Sequence, residues 1–400
     1  MNFKRISRLA RSPNNPLRAA YLFGFASLSS WMPIFNIWLE DCGLKGTQIG
    51  YIAAIPWLTM LIVQPLWGIL ADKYGKLRIF RIAVIMAALL FALFPVVGKG
   101  ITPVAYMTLA LALFNNPVLP LLDSMALDHI EGKHNISYSN IRFWGAPGYG
   151  LGAVVTGWLI PALGIRVSFI AAAAFLILAL IALLRFAPAK EKGRAIDLEF
   201  KNLSQILPDK LLLGFLLVII IVSIGQSAIT FYLGVYMREI GATPKVIGTT
   251  IGVQAFSELP FYFIAAWLLT RMKPGIVVMI AIIATSIRLF FYSINSNPHL
   301  VIFIETMNGM TWTLLWIASV EYVNSIIPAR WRTTGQSLLW AAYFGAGAIL
   351  GNVISGRLYE SMPMQKVYAI NSLMIVAVLI LVVTVVLINH FRSNSRLLKE

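Results

Sequence analysis

The sequence predicts an all-α membrane protein with twelve transmembrane helices in two parallel six-helix halves. Three observations predict it. The 400-residue chain is 59% hydrophobic and only 12% charged, with a mean hydropathy of +0.79. A soluble domain carries roughly 25% charged residues, so this chain cannot cover itself with a polar surface and its solvent must be partly lipid. Second, apolar runs of about 20 residues, the length that crosses a bilayer, recur twelve times. Third, the sequence repeats itself at about half its length. "FNIWLEDCGLKGTQIG" (35–50) aligns with "LGVYMREIGATPKVIG" (233–248), and "GAVVTGWL" (152–159) aligns with "GNVISGRL" (351–358) at almost the same offset. Two independent matches at one offset indicate two parallel halves, with a ligand site expected between them.

In chain order, the runs fall near 17–39, 47–71, 79–98, 101–128, 140–163 and 166–186, then 211–237, 244–270, 275–294, 298–326, 334–359 and 364–390. Lipid offers no partners to backbone groups, so an open chain can cross only as helices. The first run follows a basic start, but it exceeds 20 residues and lacks a small-residue cleavage site, so it reads as a retained span. The polar stretch "RFAPAKEKGRAIDLEFKNLSQILPDK" (185–210) separates six runs from six. The expected organisation is therefore a first half over 1–186, a cytoplasmic linker over 187–210 and a second half over 211–400.

The formal net charge is +16, and position explains it. Of the Lys and Arg residues, only Lys45, Lys99, Arg166, Arg238, Lys245, Arg357 and Lys366 fall in alternate loops on one side, while Arg142 and Arg288 fall inside spans. The remaining 23 of the 32 lie on the other side. Cytoplasmic loops collect basic residues, so both termini are expected in the cytoplasm and the chain in the cell's inner membrane. The basic residues form no soluble face for nucleic acid. One cysteine, Cys42, excludes a disulfide scaffold, and four scattered His disfavour a structural metal site. "GYGLGA" (148–153) resembles a dinucleotide fingerprint, but it lies within an apolar run with no strand before it. No phosphate-binding loop of the ATPase type is present, and no nucleophile–base constellation suggests an enzyme. No cofactor is expected beyond a coupling proton.

At the cytoplasmic end of the second run, "GILADKYGK" crowds an acid and bases together. Gly68 permits close helix approach and Gly75 a tight turn. Asp72, with Lys73 and Lys76 beside it, could meet the positive N-terminal end of the eleventh span. The stretch resembles the signature between helices 2 and 3 of the major facilitator superfamily, with Gly68, Asp72, Lys73, Gly75 and Lys76 filling its positions. The resemblance implies a conformational latch between the halves. The corresponding stretch of the second half, "LLTRMKP" (268–274), has no acid, so the latch is expected to be one-sided. "PIFNIWLEDCGLKGTQIG", "VQPLWGILADK", "PLLDSMALDHIEGKHNISYSNIRFWG" and "GRLYESM" resemble the lactose permease and phenylpropionate permease groups. That resemblance implies a proton-coupled symporter of a small organic solute, such as a sugar, aromatic acid or nucleoside, acting as a monomer.

Ionisable residues at membrane depth mark functional sites. Asp123 and Arg142 lie at matching depths and can pair, with Asp128 as an alternative acid. The resemblance implies that Arg142 contacts the solute. In the second half Glu258 and Arg288 both lie near mid-bilayer, which makes Glu258 the first candidate for the coupling proton with Arg288 as its partner. Where the lactose permease group carries a proton-coupling histidine and glutamate, this sequence has Asn308 and Thr311, and Glu305 one turn earlier is an alternative. Glu321 near the inner end could latch to Arg330 or Arg332. Asn36, Tyr232, Tyr236 and Trp312 are candidate solute contacts, together with Trp31, Gln226 and Trp316. Gly148, Gly152, Gly347 and Gly351 have the spacing of close helix packing. An efflux antiporter of the same fold, or a membrane receptor that binds solute without moving it, are the competing readings.

Overall fold

The computed structural model describes residues 14–130, 138–184, 186, 210–328 and 331–397. Of the expected linker over 187–210, residues 187–209 lie outside them, as does Arg330, while Lys210 already begins a helix. Helices account for nearly all the described residues, and twelve of them correspond to the twelve apolar runs. These are α1 (Asn15–Asp41), α2 (Gly46–Tyr74), α3 (Lys76–Leu93, closed by a 3₁₀ turn at Phe94–Val96), α4 (Ile101–Ile130), α5 (Tyr138–Leu163) and α6 (Val167–Ala182) in the first half. The second half holds α7 (Lys210–Glu239), α8 (Pro244–Leu269), α9 (Pro274–Ile294), α10 (Pro298–Ile326), α11 (Thr334–Ser361) and α12 (Met364–Leu397). Eleven are long and apolar enough to cross a membrane, and α6 is a shorter apolar helix.

Several spans are interrupted where the sequence withdraws a backbone donor. In α4 the helix breaks between Asn115 and Val118. Pro117 has no N–H for the carbonyl of Leu113, and that carbonyl instead accepts from the indole N–H of Trp67 on α2 at 2.8 Å. The neighbouring Asn116 amide donates to the carbonyl of Pro56 at 2.8 Å. Two π-helical segments, Gly309–Leu314 in α10 and Ala341–Gly347 in α11, carry an extra residue within the turn. Such segments re-aim side chains and are frequent at functional sites.

The repeat read from the sequence is a repeat in space. Gly43 and Gly241 end the first helix of each half with φ of 81° and 85°, a left-handed conformation that favours glycine. Cys42, the single thiol, is half-buried in the first of these turns. Gly148 and Gly152 bring α5 against backbone oxygens of Leu22 and Ala26 on α1. Gly347 and Gly351 bring α11 against Ser223 and Ser227 on α7 in the corresponding places.

Between the halves, α2 packs on α11 and α5 on α8. A Cβ at Gly46 would lie 2.4 Å from the carbonyl oxygen of Gly356, and one at Gly50 would lie 2.6 Å from that of Asn352. A Cβ at Gly248 would lie 2.5 Å from the carbonyl oxygen of Ala153. These contacts all fall toward the distal face, away from the face where α1 starts. Among the described residues every hydrogen bond and ion pair between the halves also lies in that distal part. These hydrogen bonds and ion pairs hold the halves together at the distal face.

Candidate functional site

Each half holds one arginine–carboxylate cluster. In the first half, α4 and the start of α5 hold Asp123 beside Arg142. The Arg142 guanidinium donates through Nη1 to both Asp123 oxygens, at 2.7 and 2.8 Å, and to the Tyr138 hydroxyl at 2.9 Å. Tyr21 and Tyr138 also donate to Asp123, at 2.5 and 2.7 Å. The Asp123 carboxylate is therefore fully engaged, yet the pair stays open to solvent, with side-chain exposures of 43% for Arg142 and 30% for Asp123. Asp128, the alternative acid, instead pairs with Lys76 at 2.6 Å. Tyr21 and Tyr138 were missed in the sequence, although Tyr138 stands four residues before Arg142, on the same helical face.

In the second half, the direct partner of Arg288 is Glu305, which corrects the expected Glu258–Arg288 pair. Both side chains are fully buried. The Arg288 guanidinium also donates to Asn308 Oδ1 at 2.9 Å and Thr311 Oγ1 at 2.7 Å, and Tyr292 hydrogen-bonds to Glu305. The Asn308 amide donates to Glu258 Oε1 at 2.9 Å. A chain of contacts therefore runs from Glu258 through Asn308 and Arg288 to Glu305. Depth alone cannot reveal it, because Asn308 extends the reach of Arg288 and Glu305 lies nearer to it.

Three expected solute contacts are packed away in this conformation. The Asn36 amide donates to the backbone oxygen of Phe231 at 2.9 Å, joining α1 to α7. Tyr232 is fully buried and donates to the carbonyl of Asn352 at 3.1 Å. Tyr236 is fully buried among the rings of Tyr292 and Tyr368 and donates to the carbonyl of Asn295 at 3.0 Å. Their polar atoms serve helix packing because unpaired ones would be costly in a buried interface. Trp312 and Trp316 remain partly exposed and stack on each other, with ring centroids 5.7 Å apart. Trp31 is buried against Phe35 and Phe91 within the first half. Gln226 is buried and donates to the carbonyl of Thr311 at 2.6 Å.

The loop after α2 forms as its glycine dictates, with Gly75 at φ 96°. Among the described residues, Asp72 and Lys73 make no hydrogen bond or ion pair to the other half. Gly68 has nothing within 4 Å of a built Cβ, Asp72 and Lys73 are exposed, and Lys76 is held within its own half by Asp128. The interaction anticipated for Asp72 exists at the opposite face with another acid. There Glu360 of α11 accepts from the Thr47 backbone N–H in the first turn of α2, at 3.1 Å, where a helix N-terminus favours negative charge. Beside it, Arg238 of α7 pairs with Glu40 and, at 2.7 Å, with Asp41 of α1, and the Tyr359 hydroxyl donates to Glu40 at 2.5 Å. Glu239 accepts from the N–H of Met364 at 3.0 Å, capping α12. The sequence repeat aligned Asp41 with Glu239 without revealing that Arg238 clamps the halves.

Comparison with known proteins places this architecture. Residues 15–370 match the family described as MFS_1 like family. The maltose permease of Geobacillus stearothermophilus is 26% identical over 365 residues, covering 90% of this chain and 92% of that one. The lactose permease of Klebsiella oxytoca is 21% identical over 370 residues, covering 86% and 87%. The crystal structure of the nucleoside transporter NupG superposes with a TM-score of 0.81 at 16% identity, covering 92% of this chain and 98% of that one, and so shares the fold. A chain of two parallel six-helix halves, closed at one face and matched to this family over nearly all its length, belongs to the MFS_1 like family of major facilitator transporters.

Proposed function

We propose that the protein is a proton-coupled symporter of a small uncharged polar solute, working as a monomer by alternating access. The observation that carries this reading is the contrast between the two acids of the second half. Glu305 is fully buried against Arg288, while Glu258 is only partly buried and, among the described residues, bonds to the neutral Asn308 amide. A guanidinium in direct contact favours the charged form of a carboxyl, whereas a carboxyl bonded to a neutral amide lacks that direct partner and is the better proton carrier. Asn308 links the second acid to Arg288, so protonation at Glu258 is felt at the buried pair. The proton gradient supplies the driving force. Its electrical part is worth about 2.3 kcal/mol per charge per 100 mV.

An uncharged solute follows from the first cluster. Asp123 already balances the Arg142 charge, so the exposed pair offers donors and acceptors rather than a free cation. This favours hydroxyl-bearing solutes over carboxylic acids, in line with similarity to a maltose permease. The excess of Lys and Arg on the side of the α2–α3 loop supports a cytoplasmic position for that side and for both termini. In this reading the halves part at the cytoplasmic face to admit the solute. Arg238 and its acids close the outer face, and Asp72 latches the inner face in the opposite state.

The test uses purified protein in proteoliposomes with an imposed pH gradient and radiolabelled maltose and uridine. Uphill accumulation of one of them, abolished by a protonophore, is expected. Glu258→Gln should lose accumulation and retain exchange of labelled for unlabelled solute. Accumulation that ignores the protonophore, or that persists in Glu258→Gln, overturns the reading.

A further inference from the structure

Six aromatic rings gather where α2, α10 and α11 meet. Phe344 is their centre. Trp57 of the opposite half stacks on it with centroids 5.7 Å apart and planes 14° from parallel, and Trp340 stacks on it at 4.4 Å. Trp316 and Trp312 reach it at 5.3 and 5.8 Å, and Tyr343 packs beside it at 4.9 Å. Both π-helical segments contribute, since Trp312 lies in Gly309–Leu314, and Tyr343 and Phe344 lie in Ala341–Gly347. Two extra residues in adjacent helices therefore aim rings at one place.

A dense aromatic cluster is ordinarily core, and this molecule contains such a core for comparison. In the first half Trp31, Phe35, Trp38, Phe91, Phe94 and Phe169 form an equally dense cluster, and none exceeds 7% exposure. The second cluster differs. Trp57, Trp312, Trp316 and Phe344 are all partly exposed, and Trp340 is 46% exposed. The Trp57–Phe344 stack joins the two halves, and Leu61, one turn further along α2, packs on Gly345 beside it. On α10, Trp312 follows Asn308 by four residues, so it shares a helical face with the residue that links Glu258 to Arg288.

We propose that this aromatic wall is the specificity surface between the halves, and that it selects solutes carrying a flat ring face: a pyranose or a nucleobase rather than an open-chain polyol. This rests on the uncharged-solute reading above. The π faces of Trp and Phe stack on the apolar face of a sugar ring or on a base. The polar clusters on either side then take the hydroxyls. Because Trp57 comes from one half and the other rings from the other half, a ring lying on the wall touches both, and its binding is sensitive to how the halves sit.

The test measures equilibrium binding of radiolabelled maltose, uridine and mannitol to the full-length protein in liposomes, alongside pH-driven uptake in the same vesicles. Trp312→Leu and Trp316→Leu should each weaken binding of the ring-bearing probe about tenfold, and Trp312→Phe and Trp316→Phe by less than about threefold. Whether maltose or uridine shows the effect identifies the ring as saccharide or base. Should a Leu variant lose its monodisperse elution profile, the corresponding Phe-to-wild-type ratio and the other tryptophan decide. Equal affinities for wild type and both Leu variants overturn the wall, as does mannitol binding as tightly as the rings. If Trp-dependent binding is found without proton-driven uptake, the wall stands and the symport reading fails. Proton-driven uptake indifferent to both tryptophans sinks the wall alone.

Discussion

The two halves each carry an arginine–carboxylate pair, and the two pairs differ in nearly everything but chemistry. Arg142 and Asp123 are substantially exposed and ringed by two tyrosine hydroxyls, whereas Arg288 and Glu305 are fully out of solvent and share Asn308, Thr311 and Tyr292. An exposed pair contributes little to stability, about 0–1 kcal/mol. Removing one partner of a buried pair leaves an uncompensated charge and costs about 3–5 kcal/mol. An arginine–carboxylate pair is thus solvent-accessible in one half and part of the buried architecture in the other.

The largest expected effect breaks the buried pair. Arg288→Ala should lower stability by about 3–5 kcal/mol, read as a fall in thermal midpoint in detergent. The apolar double variant Arg288→Met/Glu305→Leu should recover most of it, because no charge is left stranded. A single variant as stable as the wild type would make the two pairs equivalent and remove the contrast. Next in size, Arg142→Ala should shift stability by no more than about 1 kcal/mol while abolishing measurable solute binding. Arg142→Lys should restore only a part, since a point charge cannot reproduce the planar fork. Strong destabilisation with intact binding would reverse the assignment of roles.

Smaller effects sharpen a second contrast, between the two faces. Arg238→Ala removes the engaged clamp to Glu40 and Asp41, and about 1 kcal/mol of bias should change the open-to-closed ratio at that face roughly fivefold. Cross-linking of a cysteine pair placed across the distal seam measures that ratio. The smallest effect should come from Asp72→Asn, because Asp72 is exposed and, among the described residues, makes no hydrogen bond or ion pair to the other half. Transport should slow a few-fold with solute affinity unchanged. A loss of affinity in Asp72→Asn would place that acid in the binding machinery.

Much of this was legible in the sequence because lipid imposes strict rules. Twelve apolar runs gave twelve helices, and the repeat gave the two halves down to the matching turns at Gly43 and Gly241. Asp123 with Arg142 was legible because both lie at similar depth on consecutive spans. The partner of Arg288 was not, since depth puts Glu258 level with Arg288 and Glu305 nearer the outer end of its span, and the long Arg288 side chain spans that offset. Nor could the sequence show that Asn36, Tyr232 and Tyr236 turn inward, because the rotation of a helix that is apolar all round has no signature in its periodicity. The interruption of α4 was signalled by Pro117, yet the Trp67 indole that compensates for it comes from another span.

The half-buried Cys42 in the turn after α1 gives the wild-type protein its own reporter. It is the single thiol in the sequence and it directly follows Asp41, one of the acids that Arg238 holds. Burial, and then the charge of Asp41, raise the thiol above its ordinary range, so little reactive thiolate exists at neutral pH. Alkylation by a maleimide should therefore be slow in the clamped state. It should quicken as pH rises, and quicken again at fixed pH whenever the outer face opens and the turn becomes hydrated. Turnover can then be followed as a labelling rate on an unmodified chain, with solute and proton gradient as the variables and no engineered probe to perturb the clamp.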